Sequence, residues 1–394
     1  MIKRLLQKTI EESVRSSSKS ILILGPRQTG KSTLSQSLKP ALEINLARES
    51  EFRNHSNDPE LIERLVAPLK KNSLISIDEI QRVPDMLNTI QALIDQKKDR
   101  LFVLTGSSAR KLKRASVNML PGRIFRHNLF PLTIAELGKK FSLETALAKG
   151  LLPEIYLSDS GFEILENYTN IYLKEEILAE ALVRNYASFG HFLELAAHMS
   201  WKELNYSQLA SDSEIPKETI RRYVEILEDT LLIHRIPGFT NVSSNRKAIQ
   251  KEKILFFDIG VRNAIIGTHK NKHSPAEWGH LFEHLIVLEL IALNSYRKKQ
   301  WKLSYYRDSK QLEVDLLIEA DDCLYAIEIK SGSVYKKEWK KNLDTFQEVY
   351  LEEKRSKKEK IKKIIVYTGE YEQLDKDVRI VPFSKMYSAL STLK

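Results

Sequence analysis

Residues 21–38 read ILILGPRQTGKSTLSQSL, and this stretch decides the fold of the first part of the chain. The apolar run Ile21–Leu24 is typical of a buried strand, and STLSQSL (32–38) has the spacing of a helix. Between them, residues 25–32 match the pattern G-x-x-x-x-G-K-[ST] in full. Glycines let such a loop fold tightly, so that successive N–H groups face one point, and the helix start adds partial positive charge. The stretch therefore predicts a phosphate-binding loop.

Each part of this loop has an expected role. Lys31 is long enough to reach the β- and γ-phosphates of a nucleotide, and the Ser32 hydroxyl can ligate Mg²⁺. We predict ATP with Mg²⁺ as the ligand. The predicted nucleotide contacts come from the whole loop and the first turn of the helix, namely Gly25, Pro26, Arg27, Gln28, Thr29, Gly30, Lys31, Ser32 and Thr33.

A pair of carboxylates follows a second apolar run. Leu74–Ile77 reads as a buried strand and leads directly into Asp78 and Glu79. Successive side chains of a strand point to opposite faces, so the two carboxylates need different roles. We expect Asp78 to contribute to Mg²⁺ binding and Glu79 to polarise the water that attacks the γ-phosphate.

Two further residues are predicted to act on the γ-phosphate. Ser107 follows the third strand (101–104), from which a small polar side chain could sense this group between the other two strands. Arg123 follows a turn and is predicted to act as an arginine finger or sensor, which stabilises charge on the transferring phosphoryl group. A surface salt bridge is an alternative role for Arg123, and other arginines compete for the finger role: Arg110, Arg114 and Arg126.

The alternation of apolar runs and amphipathic segments predicts the architecture. In the first ~150 residues it indicates βαβ units and a parallel sheet of the P-loop NTPase type, covered on both faces. From about residue 165 the pattern is helical, and strands return near residue 250 together with a long apolar helix near 277–293. We predict an α/β chain of three domains: a P-loop ATPase domain (1–160), a helical, winged-helix module (161–240) and a second α/β domain (241–394).

Residues 200–236 predict a helix-turn-helix of winged-helix type. Ser207 can cap a short first helix, and a longer helix follows Pro216, with Ile220, Tyr223, Val224 and Leu227 at core spacing. Arg221 and Arg222 face outward and could contact phosphates or base edges. Acidic residues on the same face weaken this interpretation, and a module that only connects domains is the alternative.

A second constellation of acids and a lysine lies near the C-terminus. In the strand 324–330, alternation places Glu328 and Lys330 on one face, and a hairpin can bring Asp315 beside them. Asp315 and Glu328 could bind Mg²⁺ or Mn²⁺ through oxygen, with Glu283 as a third acid from a helix. Lys330 would position water or stabilise developing charge, as metal-assisted phosphodiester cleavage requires. The alternative is a surface Glu–Lys pair on an edge strand.

The amino-acid composition limits which partners and which cellular compartment the protein can have. Lys and Arg number 62 against 52 Asp and Glu, a net charge of +10 that permits a polyanionic partner. We predict nucleic acid as that partner, with DNA favoured over RNA, and homo-oligomers are possible. The single cysteine, Cys323, excludes an internal disulfide framework and a cysteine-rich zinc site. No apolar run has the length of a membrane helix and the N-terminus lacks a signal-peptide pattern, so we predict a cytoplasmic protein without membrane contact.

These motifs together resemble the bacterial and archaeal AAA-type ATPases that carry a C-terminal DUF4143 domain. The C-terminal part also looks like the PD-(D/E)xK nuclease superfamily. That resemblance implies a divalent-metal site, whose four positions correspond here to Glu283, Asp315, Glu328 and Lys330. The similar segments cover nearly the whole chain: 25–32, 77–81, 104–108, 121–123, 130–136, 279–283, 306–307, 313–315 and 327–331.

The sequence therefore predicts an ATP-hydrolysing AAA-type protein whose nuclease-like C-terminal domain acts on DNA or binds it. Nucleotide state would control how the C-terminal domain handles DNA. Two alternatives stay open. One is a nucleotide-dependent regulator or switch with a catalytically silent nuclease-like domain, and the other is a DNA-binding protein that uses the winged helix.

Overall fold

The computed structural model describes residues 2–16, 19–96, 100–107, 122–173, 186–240, 248–321, 323–353 and 360–393. Its described strands form a five-stranded sheet in the first part of the chain, a six-stranded sheet in the last part and a two-stranded sheet between them. The mixed α/β class predicted from the sequence is confirmed.

The first sheet is parallel and has the order β2-β3-β4-β1-β5. Its strands are β1 (Ser20–Leu24), β2 (Leu42–Asn45), β3 (Leu74–Asp78), β4 (Leu101–Gly106) and β5 (Ile124–Asn128). The accompanying helices are α1 (Leu5–Ser16), α2 (Lys31–Ser37), α3 (Glu49–Asn57), α4 (Leu61–Val66), α5 (Met86–Asp95) and α6 (Ile134–Leu137). All strands of a parallel sheet end at the same edge, so the segments after β1, β3 and β4 meet there.

The middle of the chain is mainly helical. Its helices are α7 (Leu143–Lys149), α8 (Pro153–Leu157), α9 (Gly161–Asn167), α10 (Tyr186–His198), α11 (Tyr206–Ser213), α12 (Lys217–Asp229) and α13 (Ile259–Ile265), with a π-helical turn at Tyr168–Leu173. Strands β6 (Ile233–Ile236) and β7 (Lys253–Phe256) pair antiparallel, across the predicted domain boundary after residue 240. The division into 1–160, 161–240 and 241–394 stays a prediction.

The last part of the chain packs helices on a mixed sheet of order β12-β13-β11-β10-β9-β8. The strands are β8 (Lys302–Arg307), β9 (Glu313–Ala320), β10 (Cys323–Lys330), β11 (Lys360–Tyr367), β12 (Gln373–Asp375) and β13 (Val378–Pro382). The helices are α14 (Pro275–Tyr296), α15 (Lys341–Glu353) and α16 (Met386–Ser391). The hairpin β9–β10 places Leu316 opposite Ile327, one position away from Asp315 and Glu328.

Helix α14 belongs to two hydrophobic cores. Most of its apolar residues pack with the C-terminal sheet. Its last turns instead supply Ala292 and Tyr296 to the core that also contains Ile21 and Ile23 of β1. The helix therefore joins the last part of the chain to the first sheet.

Tight backbone contact joins α7 to α13. Gly260 lies against the backbone of Lys149 and Gly150, where a Cβ would overlap the Lys149 carbonyl group. Asp258 accepts hydrogen bonds from Leu151 N at 2.6 Å and from Val261 N at 3.0 Å, so it also caps α13. This contact fixes the chain just before α8.

Glu289 of α14 is buried, and its Oε1 accepts a hydrogen bond from Ile134 N at 3.0 Å. Burial raises the pKa of this carboxyl to about 8, and the nearby Glu136 adds to the shift. A group with a raised folded pKa binds its proton more tightly when folded, so unfolding free energy falls as pH rises from about 4.5 to about 8. Glutamine at this position keeps the acceptor oxygen and cannot ionise.

We therefore expect Glu289→Gln to be more stable than the wild type at pH 8.5, by on the order of 3 kcal/mol. The unfolding free energies of the two proteins should converge near pH 4.5. Urea unfolding at the two pH values measures this difference. The exposed Glu163→Gln is the matched control and should show no such pH dependence, and an equal response of both variants would contradict the burial argument.

Candidate nucleotide site and C-terminal acidic site

The phosphate-binding loop lies between β1 and α2, as predicted. Its tight path depends on Gly30, which has a left-handed φ of 91°, and on Gly25, where a Cβ would overlap the Leu129 carbonyl oxygen. Lys31 is buried at the first turn of α2, and its Nζ donates to the carbonyl oxygens of Gly25 and Pro26, both at 2.9 Å. The ammonium group is therefore held inside the loop.

Asp78 ends β3 beside the start of α2. Its Oδ2 accepts a hydrogen bond from Ser32 Oγ at 2.7 Å, and its Oδ1 accepts one from Thr105 Oγ1. The structure thus brings together Ser32 and Asp78, the two residues predicted to hold Mg²⁺. Thr105 was not predicted, although its place next to Gly106 at the end of β4 could have suggested it.

Glu79 follows Asp78 with a left-handed φ of 59° and begins the turn that leaves β3. Its Oε2 accepts hydrogen bonds from Gln81 Nε2 and from Ser107 Oγ, the latter at 3.3 Å. Gln81 Nε2 also donates to Ser107 Oγ at 2.9 Å. Strand β4 lies between β3 and β1, as the sensor prediction for Ser107 requires, and Ser107 directly contacts the predicted base.

A cavity of about 860 Å³, a size that suits a nucleotide, is lined by Lys31, Ser32, Asp78, Glu79 and Gln81 among others. Loop residues Arg27 and Gln28 form one wall together with Thr33. The middle of the chain contributes Pro153 and Glu154 of α8 to the lining. The cavity therefore lies between the first sheet and the helical part of the chain.

Arg82 is an arginine at this cavity that the sequence analysis missed. Its Nη1 donates to the carbonyl oxygens of Leu46 and Ala47, at 2.8 and 2.9 Å, and its guanidinium lies 4.4 Å from the ring centroid of Phe52. Its position two residues after Ile80 in a short 3₁₀ turn gave no recognisable motif.

Arg123 does not line this cavity, and its role as a finger or sensor stays a prediction. It immediately precedes β5, and its carbonyl accepts a hydrogen bond from Ser20 N, at the amino edge of the parallel sheet. Its guanidinium pairs with Asp95, with Nη2–Oδ2 at 2.9 Å. The phosphate-binding loop is at the opposite edge. A finger that acts on a neighbouring subunit stays a prediction. Arg126 is exposed on β5, while Arg110 and Arg114 lie outside the described residues.

The C-terminal constellation clusters around the end of β10. Lys330 Nζ donates to Glu328 Oε1 at 2.6 Å, and Asp315 Oδ2 accepts a hydrogen bond from Ile329 N at 2.7 Å. Glu283 of α14 accepts a hydrogen bond from Trp201 Nε1 at 3.0 Å. Glu328 Oε2 is buried and has no hydrogen-bond partner among the described residues.

Burial and mutual repulsion act on these acids together. Burial, with the nearby Asp315, raises the pKa of Glu283 to about 8. Burial raises the pKa of Glu328 well above its usual range, and Asp315 contributes to the shift. Burial disfavours the charge of Lys330, but Asp315 and Glu328 outweigh it and hold its pKa above the usual value. The cluster is one coupled electrostatic unit rather than a surface pair.

The acids are not arranged as a closed metal cage. In the described part of the chain, no three side chains from His, Cys, Asp and Glu gather closely enough to hold a metal ion. The metal-ligand roles of Glu283, Asp315 and Glu328 therefore stay a prediction. Glu283 also faces a cleft of about 620 Å³ against α10 and α11, with Lys202 and Arg307 in its walls.

Helices α11 and α12 occupy the segment for which a helix-turn-helix is predicted. The core positions Ile220, Tyr223, Val224 and Leu227 are buried, while Arg221 and Arg222 are exposed. Arg221 pairs with Glu218 at 2.8 Å. The first helix begins earlier than expected, because the Asn205 side chain accepts from Gln208 N and caps it, instead of Ser207. A winged-helix role in binding DNA stays a prediction.

Fold and site together define the class of the first part of the chain: a P-loop domain with an ATPase-like nucleotide site. Residues 17–138 match the family model of the AAA domain, and residues 278–386 match DUF4143. The predicted resemblance to AAA-type ATPases with a C-terminal DUF4143 domain is thereby confirmed. The segment between them, residues 140–272, matches a further domain of unknown function, DUF8612.

The relatives and the solved structures that this chain resembles share little sequence identity with it. Uncharacterized proteins of Mycobacterium tuberculosis and Mycobacterium bovis are each 26% identical over 325 residues, which cover 79% of this chain and 70% of theirs. The ORC1 protein of Aeropyrum pernix, solved with DNA, is 14% identical and aligns over 67% of this chain and 92% of its own, with a TM-score of 0.26. Pif1 helicase of Candida albicans is 13% identical over 43% of this chain and 48% of its own, with a TM-score of 0.24. TM-scores this low carry no functional argument.

A membrane-spanning role has no structural support in the described residues, since none of their helices combines the length and the apolar character that crossing a bilayer needs.

Proposed function

We propose that the protein binds ATP with Mg²⁺ in the cavity between the phosphate-binding loop and α8, and hydrolyses it. The observation that carries this proposal is the hydrogen bond of 2.7 Å from Ser32 Oγ to Asp78 Oδ2. It joins the two residue types that hold the metal in P-loop enzymes, beside a buried Lys31 in one cavity.

The residues at this point fit Mg²⁺. Hydroxyl and carboxylate oxygens are hard ligands, which this ion prefers, and it usually keeps several waters, so two protein ligands suffice. When bound, Mg²⁺ would neutralise charge on the β- and γ-phosphate oxygens. Ser32 and Asp78 would hold it.

The chain's own residues supply the remaining functions. The backbone N–H groups of the loop and the ammonium of Lys31 would bind the phosphates and balance their charge. The Glu79 carboxylate would orient and polarise the attacking water, and Gln81 and Ser107 hold that carboxylate in place. Contacts of Pro153 and Glu154 would close the cavity from the helical side.

A second function, metal-dependent cleavage of DNA by the C-terminal domain, is favoured by one observation. Glu328 Oε2 is a buried carboxylate oxygen without a partner in the described residues, and such an atom is costly unless a ligand satisfies it. Mg²⁺ or Mn²⁺ held by Asp315 and Glu328, with Glu283 nearby, would satisfy it and supply a Lewis acid. Lys330 would then stabilise negative charge that develops on a phosphodiester.

The net charge of +10 and the exposed Arg221 and Arg222 support DNA as the partner. Nucleotide state would control the access of DNA to the C-terminal domain. Assembly into homo-oligomers would let Arg123 act as a finger on the nucleotide of a neighbouring subunit.

The test of the second function is plasmid nicking and linearisation with Mg²⁺ or Mn²⁺, with and without ATP. We expect Asp315→Asn to reduce cleavage at least about 100-fold, because it removes an acid from the cluster. Asp321→Asn, in the exposed turn of the same hairpin, is the matched control and should cleave like the wild type. Loss of cleavage in Lys31→Ala would indicate that ATP controls the reaction.

Other outcomes would favour the alternatives. ATP hydrolysis without cleavage by the wild type would favour a nucleotide-dependent switch, whose sign is ATP-dependent assembly or partner binding. DNA binding that depends on Arg221 and Arg222, with neither activity present, would favour a DNA-binding protein.

A further inference from the structure

Arg4 reaches the phosphate-binding loop from a distant part of the sequence. It lies just before α1 with 7% of its surface exposed. Its Nη1 donates to the carbonyl oxygen of Thr29 at 2.6 Å. Its Nη2 donates to the carbonyl oxygens of Phe130 and Pro131, at 2.7 and 3.2 Å. The guanidinium therefore joins the loop to the segment that follows β5.

The bond to Thr29 has a consequence for the next residue. The carbonyl of Thr29 and the N–H of Gly30 belong to one planar peptide unit, and in a trans peptide the two groups point in opposite directions. A carbonyl fixed toward Arg4 therefore directs the Gly30 N–H away from Arg4. Gly30 is free to rotate, since its φ of 91° carries no Cβ penalty, so an external contact is needed to fix it.

The positive charge of Arg4 does not by itself explain its contact with the phosphate-binding loop. Arg4 Nε pairs with Glu136 Oε1 at 3.0 Å, and the side chain of Glu136 is fully buried. Glu136 also accepts hydrogen bonds from Leu5 N at 2.7 Å and Thr133 N at 3.0 Å. The carboxylate largely neutralises the guanidinium, so the contribution of Arg4 to the loop is mainly one of orientation.

The C-terminal domain holds the same arginine. Tyr296, at the end of α14, accepts a hydrogen bond from Arg4 Nη2 at 3.4 Å and one from Phe130 N at 3.1 Å. Glu289, two turns earlier in α14, accepts from Ile134 N. The 130–136 segment, which matched no catalytic motif, is thus the part that docks Arg4 onto α14.

We infer that Arg4 is a positioning residue for nucleotide binding, which fixes the Thr29–Gly30 peptide for phosphate contact and is itself held by Glu136 and Tyr296. This inference rests on the proposed nucleotide site. It adds a residue outside the loop motif, and it makes the orientation of the loop dependent on contacts with α14.

The test compares four variants by ATP binding, with a fluorescent ATP analogue, and by hydrogen exchange of residues 25–33. We expect Arg4→Ala to weaken ATP binding at least about tenfold, in line with the loss of a hydrogen bond to a charged group, and to accelerate exchange in this segment. Arg4→Lys should behave similarly, because lysine keeps the charge but not the planar fork. Lys8→Ala, an exposed cation on α1, is the control and should match the wild type.

Tyr296→Phe keeps the aromatic core and removes only the hydroxyl, so it serves if Arg4→Ala fails to fold. We expect it to weaken ATP binding about two- to fivefold, because it removes the acceptor for Arg4 Nη2 and Phe130 N but leaves the bond from Arg4 to Thr29 in place. Wild-type ATP affinity and exchange in both Arg4→Lys and Tyr296→Phe would overturn the inference and leave the proposed function standing. A wild-type protein that binds no ATP would overturn both. A lower melting temperature with unchanged ATP affinity would reduce Arg4 to a purely structural role and also overturn it.

Discussion

Glu79→Gln is expected to lower ATP turnover at least about 100-fold while ATP affinity stays within about threefold of the wild type. The amide keeps the shape and the hydrogen bonds to Gln81 and Ser107 but cannot accept a proton from water. Affinity should be kept because the phosphates are bound by the loop and Lys31. Steady-state phosphate release and equilibrium binding of an ATP analogue measure the two quantities separately.

Glu63→Gln provides the control, since Glu63 is an exposed carboxylate of the same sheet domain. It should leave turnover and affinity unchanged. Turnover in Glu79→Gln equal to that of the wild type would remove Glu79 as the base. A loss of affinity equal to the loss of turnover would instead assign it to nucleotide binding.

Gly260→Ala should strongly lower the free energy of unfolding of the protein. A Cβ at this position would overlap the backbone of Lys149 and Gly150, which cannot rotate away as a side chain can. We expect a loss of about 4 kcal/mol or more in unfolding free energy, at the upper end for single substitutions. Urea denaturation followed by circular dichroism measures it.

Gly190→Ala is the matched substitution. Gly190 lies within α10, and among the described residues no atom beyond its chain neighbours and its own helix backbone lies within 4 Å of the place where its Cβ would be. Alanine is the better helix former, so this variant should gain up to about 1 kcal/mol. A Gly260→Ala variant as stable as the wild type would show that α7 and α13 can separate without cost.

Much of the nucleotide site was predictable because its residues are close in sequence to strand ends. The loop motif and the carboxylates after β3 each follow an apolar run, and the ends of parallel strands meet at one edge. The same rule anticipated Ser107. Asp315, Glu328 and Lys330 were predictable as a group from strand alternation and the hairpin, but the degree of burial of the acids, and hence their raised pKa values, was not.

Other features depend on contacts between remote parts of the chain. Arg123 follows a glycine turn, as a finger could. Only the parallel pairing of β5 with β1 reveals that Arg123 lies at the amino ends of the strands, whereas the phosphate-binding loop lies at their carboxyl ends. Arg82 and Arg4 belong to no motif, and their partners lie 35 or more positions away in several cases. The sequence analysis missed Asn205 as the cap of α11, because Ser207 is also a residue type that often caps helices.

Helix α14 also bears on how such chains can be recombined. Its first turns carry Glu283 and belong to the C-terminal fold, whereas Tyr296 completes the contact with Phe130 and Arg4. A chimera that takes residues 278–386 from a relative would import a foreign last turn into the first sheet's core. An exchange that keeps these contacts would have to take α1, the 130–136 segment and the end of α14 from the same protein. More than a hundred residues of sequence separate the last two.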